Sequence, residues 1–217
     1  PVLGLMNKYK SESSIEESIT PGFSFFDVNL NIQHIFNAKT KIWTTNYWGR
    51  DRIDARVENP DENKIGNYIF DMDWQTRIAS LHLEHKFTES LILYTGASYT
   101  DFDYRTQQAN IDVFKSDNSI AGAINNYFSS IRDVNVKASL QWRPGKVNLF
   151  RFGVNAIYHD FLSDANISKT TQMPGKARPD ANAARVFATE YNAFVEDEIS
   201  IGSHVKMSLG VHLGSYR

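Results

Sequence analysis

From Phe26 onward, apolar and polar residues alternate without interruption. Phe26, Val28, Leu30, Ile32, His34 and Phe36 fall on one side of an extended chain, and Asp27, Asn29, Asn31 and Gln33 fall on the other. The same period of two returns in Val134, Val136, Ala138, Leu140 and Trp142, in Phe150, Phe152, Val154, Ala156 and Tyr158, and in Val205, Met207, Leu209, Val211 and Leu213. Weaker alternation runs through 43–47, 79–87, 91–99 and 193–201, which brings the expected strands to eight. No helical periodicity of useful length competes with them.

The connections are expected in two length classes. Short polar turns at 37–39, 88–90, 144–146 and 202–204 join the strands as four hairpins, and long mixed-charge loops lie between the hairpins at 50–67, 105–129 and 162–186. A soluble antiparallel sheet gives no reason for every second connection to be long. A transmembrane barrel does: its strands cross in about 9–11 tilted residues, with short turns on one side and long loops on the other. The fold expected is therefore all-β, an antiparallel up-and-down transmembrane β-barrel section of about eight strands. Its turns are periplasmic and its loops extracellular, residues 1–21 form a loop or partial strand, and 22–217 form the barrel section.

Composition fits once only one residue in two has to meet lipid: hydrophobic content is 41% and mean hydropathy is -0.41. Aromatics make up 13% of the chain, and many stand near strand ends, so Phe26, Phe36, Tyr47, Trp48, Phe87, Tyr99, Trp142 and Phe161 are expected as interfacial girdles. A net charge of -2 shows no basic stripe and points away from nucleic acid. With no cysteine there is no disulfide, thiolate metal site or cysteine nucleophile.

The candidate chemistry reads as structural. In "HLEH" the strand period sends His82 and Glu84 one way and His85 the other, so one ion cannot collect all three. "FDMDW" and "DFDY" set carboxylates two apart near the loops, without calcium-loop spacing. In "VEDE", Glu196 and Glu198 share the polar face while Asp197 has the parity of Val195 and Ile199; a local bulge that turns Asp197 inward is the expectation. No nucleophile elbow, phosphate loop or H-E-x-x-H motif occurs. No catalytic, cofactor-binding or metal-binding residue is expected.

Four segments go beyond pattern: "FFDVNLNIQHIFNAKTKIWTTNYWGRD" (25–51), "DWQTRIASLHLEHKFTESLILYTGASYTDFDY" (73–104), "SSIRDVNVKASLQWRPGKVNLFRFGVNAIYHDF" (129–161) and "EYNAFVEDEISIGSHVKMSLGVHL" (190–213). In this order they resemble the barrel of TonB-dependent outer-membrane receptors of the Bacteroidetes type, over most of the chain from about Gly22 onward. The resemblance implies a bacterial outer-membrane transporter that imports a scarce nutrient, such as an iron chelate, cobalamin or a glycan. Its energy would come from TonB through a plug segment that these residues do not include, so the chain is read as a fragment of the barrel. The partners implied are outer-membrane lipid, TonB, a small-molecule or glycan substrate and a surface lipoprotein. Ligand contacts in such receptors come from loops and upper lumen walls, which here marks Tyr68, Trp74, Tyr104, Tyr127, Arg178 and Arg185; loop packing or girdle anchoring suits the same residues. The alternatives are a passive porin-like or structural outer-membrane barrel, then an enzymatic barrel, and, structurally, a closed eight-stranded barrel.

Overall fold

The computed structural model describes residues 18–174, 183–202 and 204–217. Eight strands, β1 (Ser18–Asn37), β2 (Thr40–Pro60), β3 (Lys64–Thr88), β4 (Leu91–Phe114), β5 (Ile120–Trp142), β6 (Asn148–Thr170), β7 (Ala184–Ile201) and β8 (Val205–Tyr216), follow one another in chain order in a single antiparallel sheet. This is the expected meander, with all four short turns where the polar residues place them. The Asn37 side chain forms the first turn, its Oδ1 accepting from the backbone N–H of Lys39 at 2.8 Å and of Thr40 at 2.9 Å. In the last turn Gly202 adopts φ 65°, the left-handed region a glycine enters without steric cost.

The long connections differ from expectation. Residues 50–60 and 64–67 are strand, as are 105–114 and 120–129, so the β2–β3 and β4–β5 links shrink to 61–63 and 115–119. Strands β3 to β6 reach 23–25 residues, more than twice the ~9–11 a membrane crossing needs, so the hairpins continue well above it. Two ties join the tips of these hairpins: Lys64 Nζ reaches Asp112 Oδ2 at 2.8 Å, and Lys115 Nζ donates to the Asp61 carbonyl at 2.6 Å.

Apart from shifts beside two turns, at Ile35/Asn37 and Lys86/Thr88, the register is continuous across the sheet, which makes its two faces unambiguous. Cross-strand partners align Ile32, Thr44, Leu81, Ala97, Val136, Ala156 and Tyr191 in one row, and every row below it keeps the same apolar parity. No described residue covers this band; Leu81, Val136, Val154 and Leu213 are all exposed. It is the outward, lipid-facing side, and on β5 it runs from Val134 to Trp142, nine positions, the length of one crossing. Aromatic pairs bracket it, with Trp142 against Phe150 at 5.6 Å near the turns and Phe26 edge-on to Trp48 at 4.9 Å at the far side. Two expected girdle residues turn the other way: Tyr47 lies on the lumenal face, donating to Asp27 Oδ1 at 2.7 Å, and Phe161 lies there against His159.

The sheet is open. β1 pairs with β2 alone and β8 with β7 alone, and no contact joins β1 to β8, so these strands do not close an eight-stranded barrel.

Candidate functional site

Alternation holds along the strands above the turns, yet the chemistry of the two faces changes at one row, most fully on β2 and on β3 up to Phe70. That row runs Trp48, Arg77, Asp101, Arg132, Asp160, Phe187 across β2 to β7. Beneath it the outward face is apolar and the lumenal face polar. Above it, β2 turns Arg50, Arg52, Asp54, Arg56 and Glu58 outward and Ile53, Ala55 and Val57 into the lumen. On β3, Tyr68, Phe70, Met72 and Trp74 are likewise lumenal, opposite outward Asp71 and Asp73. The change follows from solvent: a strand leaving hydrocarbon needs water-compatible side chains on its outside unless they are covered, and toward the tips of β3 to β5 Ile69, Ala109, Ile111 and Ile124 keep the outward parity as one buried apolar cluster.

The result is an aromatic wall on the upper lumenal side. Trp74 and Tyr104 are register partners, the Tyr104 and Tyr127 rings meet edge-on at 5.9 Å, and Tyr104 Oη donates to Met72 Sδ at 3.3 Å. Phe23 and Phe25 of β1 extend the wall, their rings 5.6 Å apart. Thr106, Gln108, Asn110, Asn125 and Ser129 stand among the rings on β4 and β5. Beneath the hairpin tips this zone carries no lysine or arginine on β1 to β5 among the described residues, and its charges are Asp27 and Asp51.

Four of the sequence-derived candidates, Tyr68, Trp74, Tyr104 and Tyr127, therefore share this one surface. Arg185 does not join them: it faces outward, its Nε 3.0 Å from Asp160 Oδ1. Arg178 lies outside the described residues. The reading of the chain alone missed Phe23, Phe25, Phe70 and Met72, although their parity with Trp74 was available once 50–60 and 64–74 are taken as strand.

The outward charges pair with one another. Asp101 sits between Arg77 at 3.0 Å and Arg132 at 3.4 Å, Asp73 binds Arg50, and Asp71 binds Arg52. The two acid pairs that suggested calcium are thus arginine partners. A cleft of about 530 Å³ opens on this side between Arg50, Arg52, Arg56, Asp71, Asp73 and Pro174.

The lower lumen holds a separate polar network. His82 stacks on Trp43 at 5.1 Å, Lys41 pairs with Glu84 at 2.8 Å, and His159 Nδ1 lies 2.8 Å from Asp133. His85 is outward against Thr40 at 2.9 Å, so "HLEH" divides as its period predicts. Glu196 and Glu198 both bind Arg151, at 2.8 and 3.2 Å, and Lys206 adds to Glu198. Asp197 overturns the expected bulge: it pairs regularly with Phe150 and Leu209, faces outward, and accepts from Asn148 Nδ2 at 2.6 Å. A neighbouring amide at the rim, rather than a bend in the backbone, answers its charge. Among the described residues no three histidines or carboxylates converge on a metal position.

No family model matches the sequence, and no curated protein matches it. Solved structures do. The ferric-catecholate import receptor Fiu from Escherichia coli K12 aligns over 95% of this chain and 41% of its own, with a TM-score of 0.55 and 10% identity. The ferripyoverdine receptor of the outer membrane of Pseudomonas aeruginosa, bound to ferripyoverdine, aligns over 94% of this chain and 37% of its own, with a TM-score of 0.50 and 11% identity. The chain spans about two fifths of the length of these structures. What they share with it is the fold: an antiparallel meander of the kind that spans the bacterial outer membrane.

Proposed function

We propose that the chain forms part of the barrel of a TonB-dependent transporter of the Bacteroidetes type, in which the upper lumenal wall receives an imported nutrient. The observation that carries this reading is the aromatic wall around Trp74, Tyr104 and Tyr127, an apolar, hydrogen-bonding surface facing a lumen above the membrane. In a structure with only a structural role, side chains in that position would be polar, as they are lower on the same face. Energy would come from TonB through a plug segment, and a surface lipoprotein would deliver the ligand. The wall is a binding surface and performs no catalysis.

Of the three ligand classes, the wall favours a glycan. Aromatic rings stack on sugar faces, and the Asn, Gln, Ser and Thr side chains between them suit hydroxyl groups. An anionic iron chelate would be held by cations, and the arginines of β2 to β5 all stand on the other side of the sheet. The test is uptake by a deletion strain complemented with the full-length gene, supplied in turn with labelled oligosaccharides, cobalamin and ferric chelates. Uptake that needs the proton-motive force and falls on Trp74→Ala supports the reading. Uptake that persists after the force is collapsed makes the barrel a passive pore.

A further inference from the structure

Asp51 stands on the lumenal face of β2 with a ring on either side. Phe25 of β1 and Trp74 of β3 are its register partners, and Tyr104 follows Trp74 in the same row. Register partners hold their Cβ atoms about 4.5–5.5 Å apart, so the carboxylate lies between aromatic groups. Two residues below it Gly49 has no side chain, and the pair Tyr47–Asp27 fills the space over that glycine, Tyr47 Oη donating to Asp27 Oδ1 at 2.7 Å. The arginines next to Asp51 in sequence are turned away from it: Arg50 and Arg52 face outward, bound to Asp73 and Asp71. Other acids on the lumenal face are answered by the chain itself. Glu84 pairs with Lys41, Asp112 with Lys64, and Glu196 and Glu198 with Arg151, while Asp133 and Glu190 flank His159. Among the described strand residues of this face, the two acids without a basic partner are Asp27 and Asp51, both at the foot of the aromatic wall. A carboxylate set between rings and left unanswered by its own chain is complementary to a positive charge that arrives with a ligand.

We infer that the glycan received by the upper wall carries protonated amino groups and that Asp51 selects for them; this rests on the reading of the wall as a glycan-binding surface. An ammonium group over Trp74 or Phe25 gains from the face of the ring, and Asp51 between them accepts its N–H groups in charge-assisted hydrogen bonds. Thr106 and Ser129 remain for the sugar hydroxyls. A neutral sugar would cover Asp51 and leave its charge unanswered, and an acidic glycan would meet like charge. A lysine side chain brings the same ammonium on a flexible stem that loses rotamer freedom when it is held. The amine of an amino sugar is fixed to a rigid ring whose own face stacks on Trp74 or Tyr104.

The test titrates the full-length protein in detergent with a trisaccharide of glucosamine, with its N-acetylated counterpart and with the corresponding trisaccharide of glucose, below the pKa of the sugar amine, and reads binding by calorimetry. The glucosamine form should bind at least roughly tenfold more tightly than either neutral form, and the preference should shrink as salt is raised. Asp51→Asn should reduce that preference about fivefold or more, whereas Asp54→Asn, which removes a carboxylate from the outward face of the same strand, should leave it intact. Equal binding of the three sugars, with Trp74→Ala weakening all of them, overturns this inference and leaves the glycan reading standing. An undiminished preference in folded Asp51→Asn overturns the inference as well. Binding of none of the three, while cobalamin, a ferric chelate or a lysine tripeptide binds, overturns the inference and the glycan reading together. Should Asp51→Asn fail to fold, the comparison of the three sugars on the unaltered protein and its salt dependence decide.

Discussion

Phe194 of β7 lies across Gly153 of β6, its register partner on the lumenal face: a Cβ added to the glycine would come within 2.1 Å of the ring. The glycine is a gap that an aromatic side chain fills, a device that stabilises sheets at residues with no side chain of their own. The contact is with the far edge of the ring, which can swing aside. Gly153→Ala should therefore cost about 1 kcal/mol and Gly153→Val about 1–3 kcal/mol. Urea unfolding of the full-length protein in micelles measures this, and Gly153→Val at full stability would show that Phe194 rests elsewhere.

Among the described residues Asn148 and Asp197 form the one polar contact set in the lower outward face of β6 and β7 at the turn side, and Asp197 Oδ1 has no hydrogen-bond partner. Removing the amide leaves more of a carboxylate unanswered beside lipid. Asn148→Leu should destabilise by about 1–3 kcal/mol, and the double variant Asn148→Leu/Asp197→Leu should recover most of the loss. The same unfolding measurement checks the order of the three proteins; a double variant no better than the single would remove Asn148 as the group that answers the charge.

Asp101 is shared by two arginines, which predicts an asymmetry between partners. Asp101→Asn frees both Arg77 and Arg132 at once, and should cost about 1–3 kcal/mol. Arg132→Gln leaves the contact with Arg77 at 3.0 Å in place and should cost less. Thermal melting of the two variants gives the ranking directly.

Trp74 stands where its ring can stack against a ligand and its register partner Tyr104 is already fixed by Met72 and Tyr127. Trp74→Ala should weaken binding of the transported ligand by roughly fivefold to a hundredfold, since one stacked ring contributes on the order of 1–3 kcal/mol. Arg56→Gln, on the outward face, should leave that affinity unchanged. Equilibrium binding to both variants separates the wall from the sheet's other side.

The tip of the β2–β3 hairpin carries a pH dependence. Asp61 accepts from the backbone N–H of Lys64 and of Asn63, and these bonds hold its carboxyl below the ordinary 3.8. The folded value is depressed, so the turn's stabilisation is complete above the ordinary value and is lost as pH falls through the folded one. Amide exchange at 61–64, corrected for intrinsic rate, should change little between about pH 7 and about pH 5 and lose protection below about pH 3. Asp61→Asn should remove most of the change.

Much of the lower barrel was legible in the residues, because lipid on one side and water on the other impose a single parity on each strand. Val134 to Trp142 could hardly be read otherwise. The upper hairpins were not legible, and on β2 the cause is the exchange of faces. In "RDRIDARVENPDENK" the run Arg52, Ile53, Asp54, Ala55, Arg56, Val57, Glu58 alternates as cleanly as any strand below, but its apolar parity is the reverse of Ile42's on the same strand. A reading that carries one parity upward sees disorder there and writes a loop. The candidates Tyr68, Trp74, Tyr104 and Tyr127 were reachable as aromatics at the right height; their convergence was not, since it depends on pairing across β3, β4 and β5. Asp197 shows the converse limit. Its parity was read correctly, but a neighbour from β6 that makes the position tolerable cannot be seen from β7.

The row through Arg77, Asp101, Arg132 and Asp160 works as a waterline. Lowering the strands by two positions would drive two arginines and two aspartates into hydrocarbon, and raising them would lift Tyr99, Val134 and Tyr158 into water. A slip of one position between β2 and β3 is opposed above and below the line at once, since there each face has the opposite preference on its two sides. Residues could be added in pairs to the hairpins above without altering how deep the barrel floats, whereas an insertion beneath the line would shift everything above it.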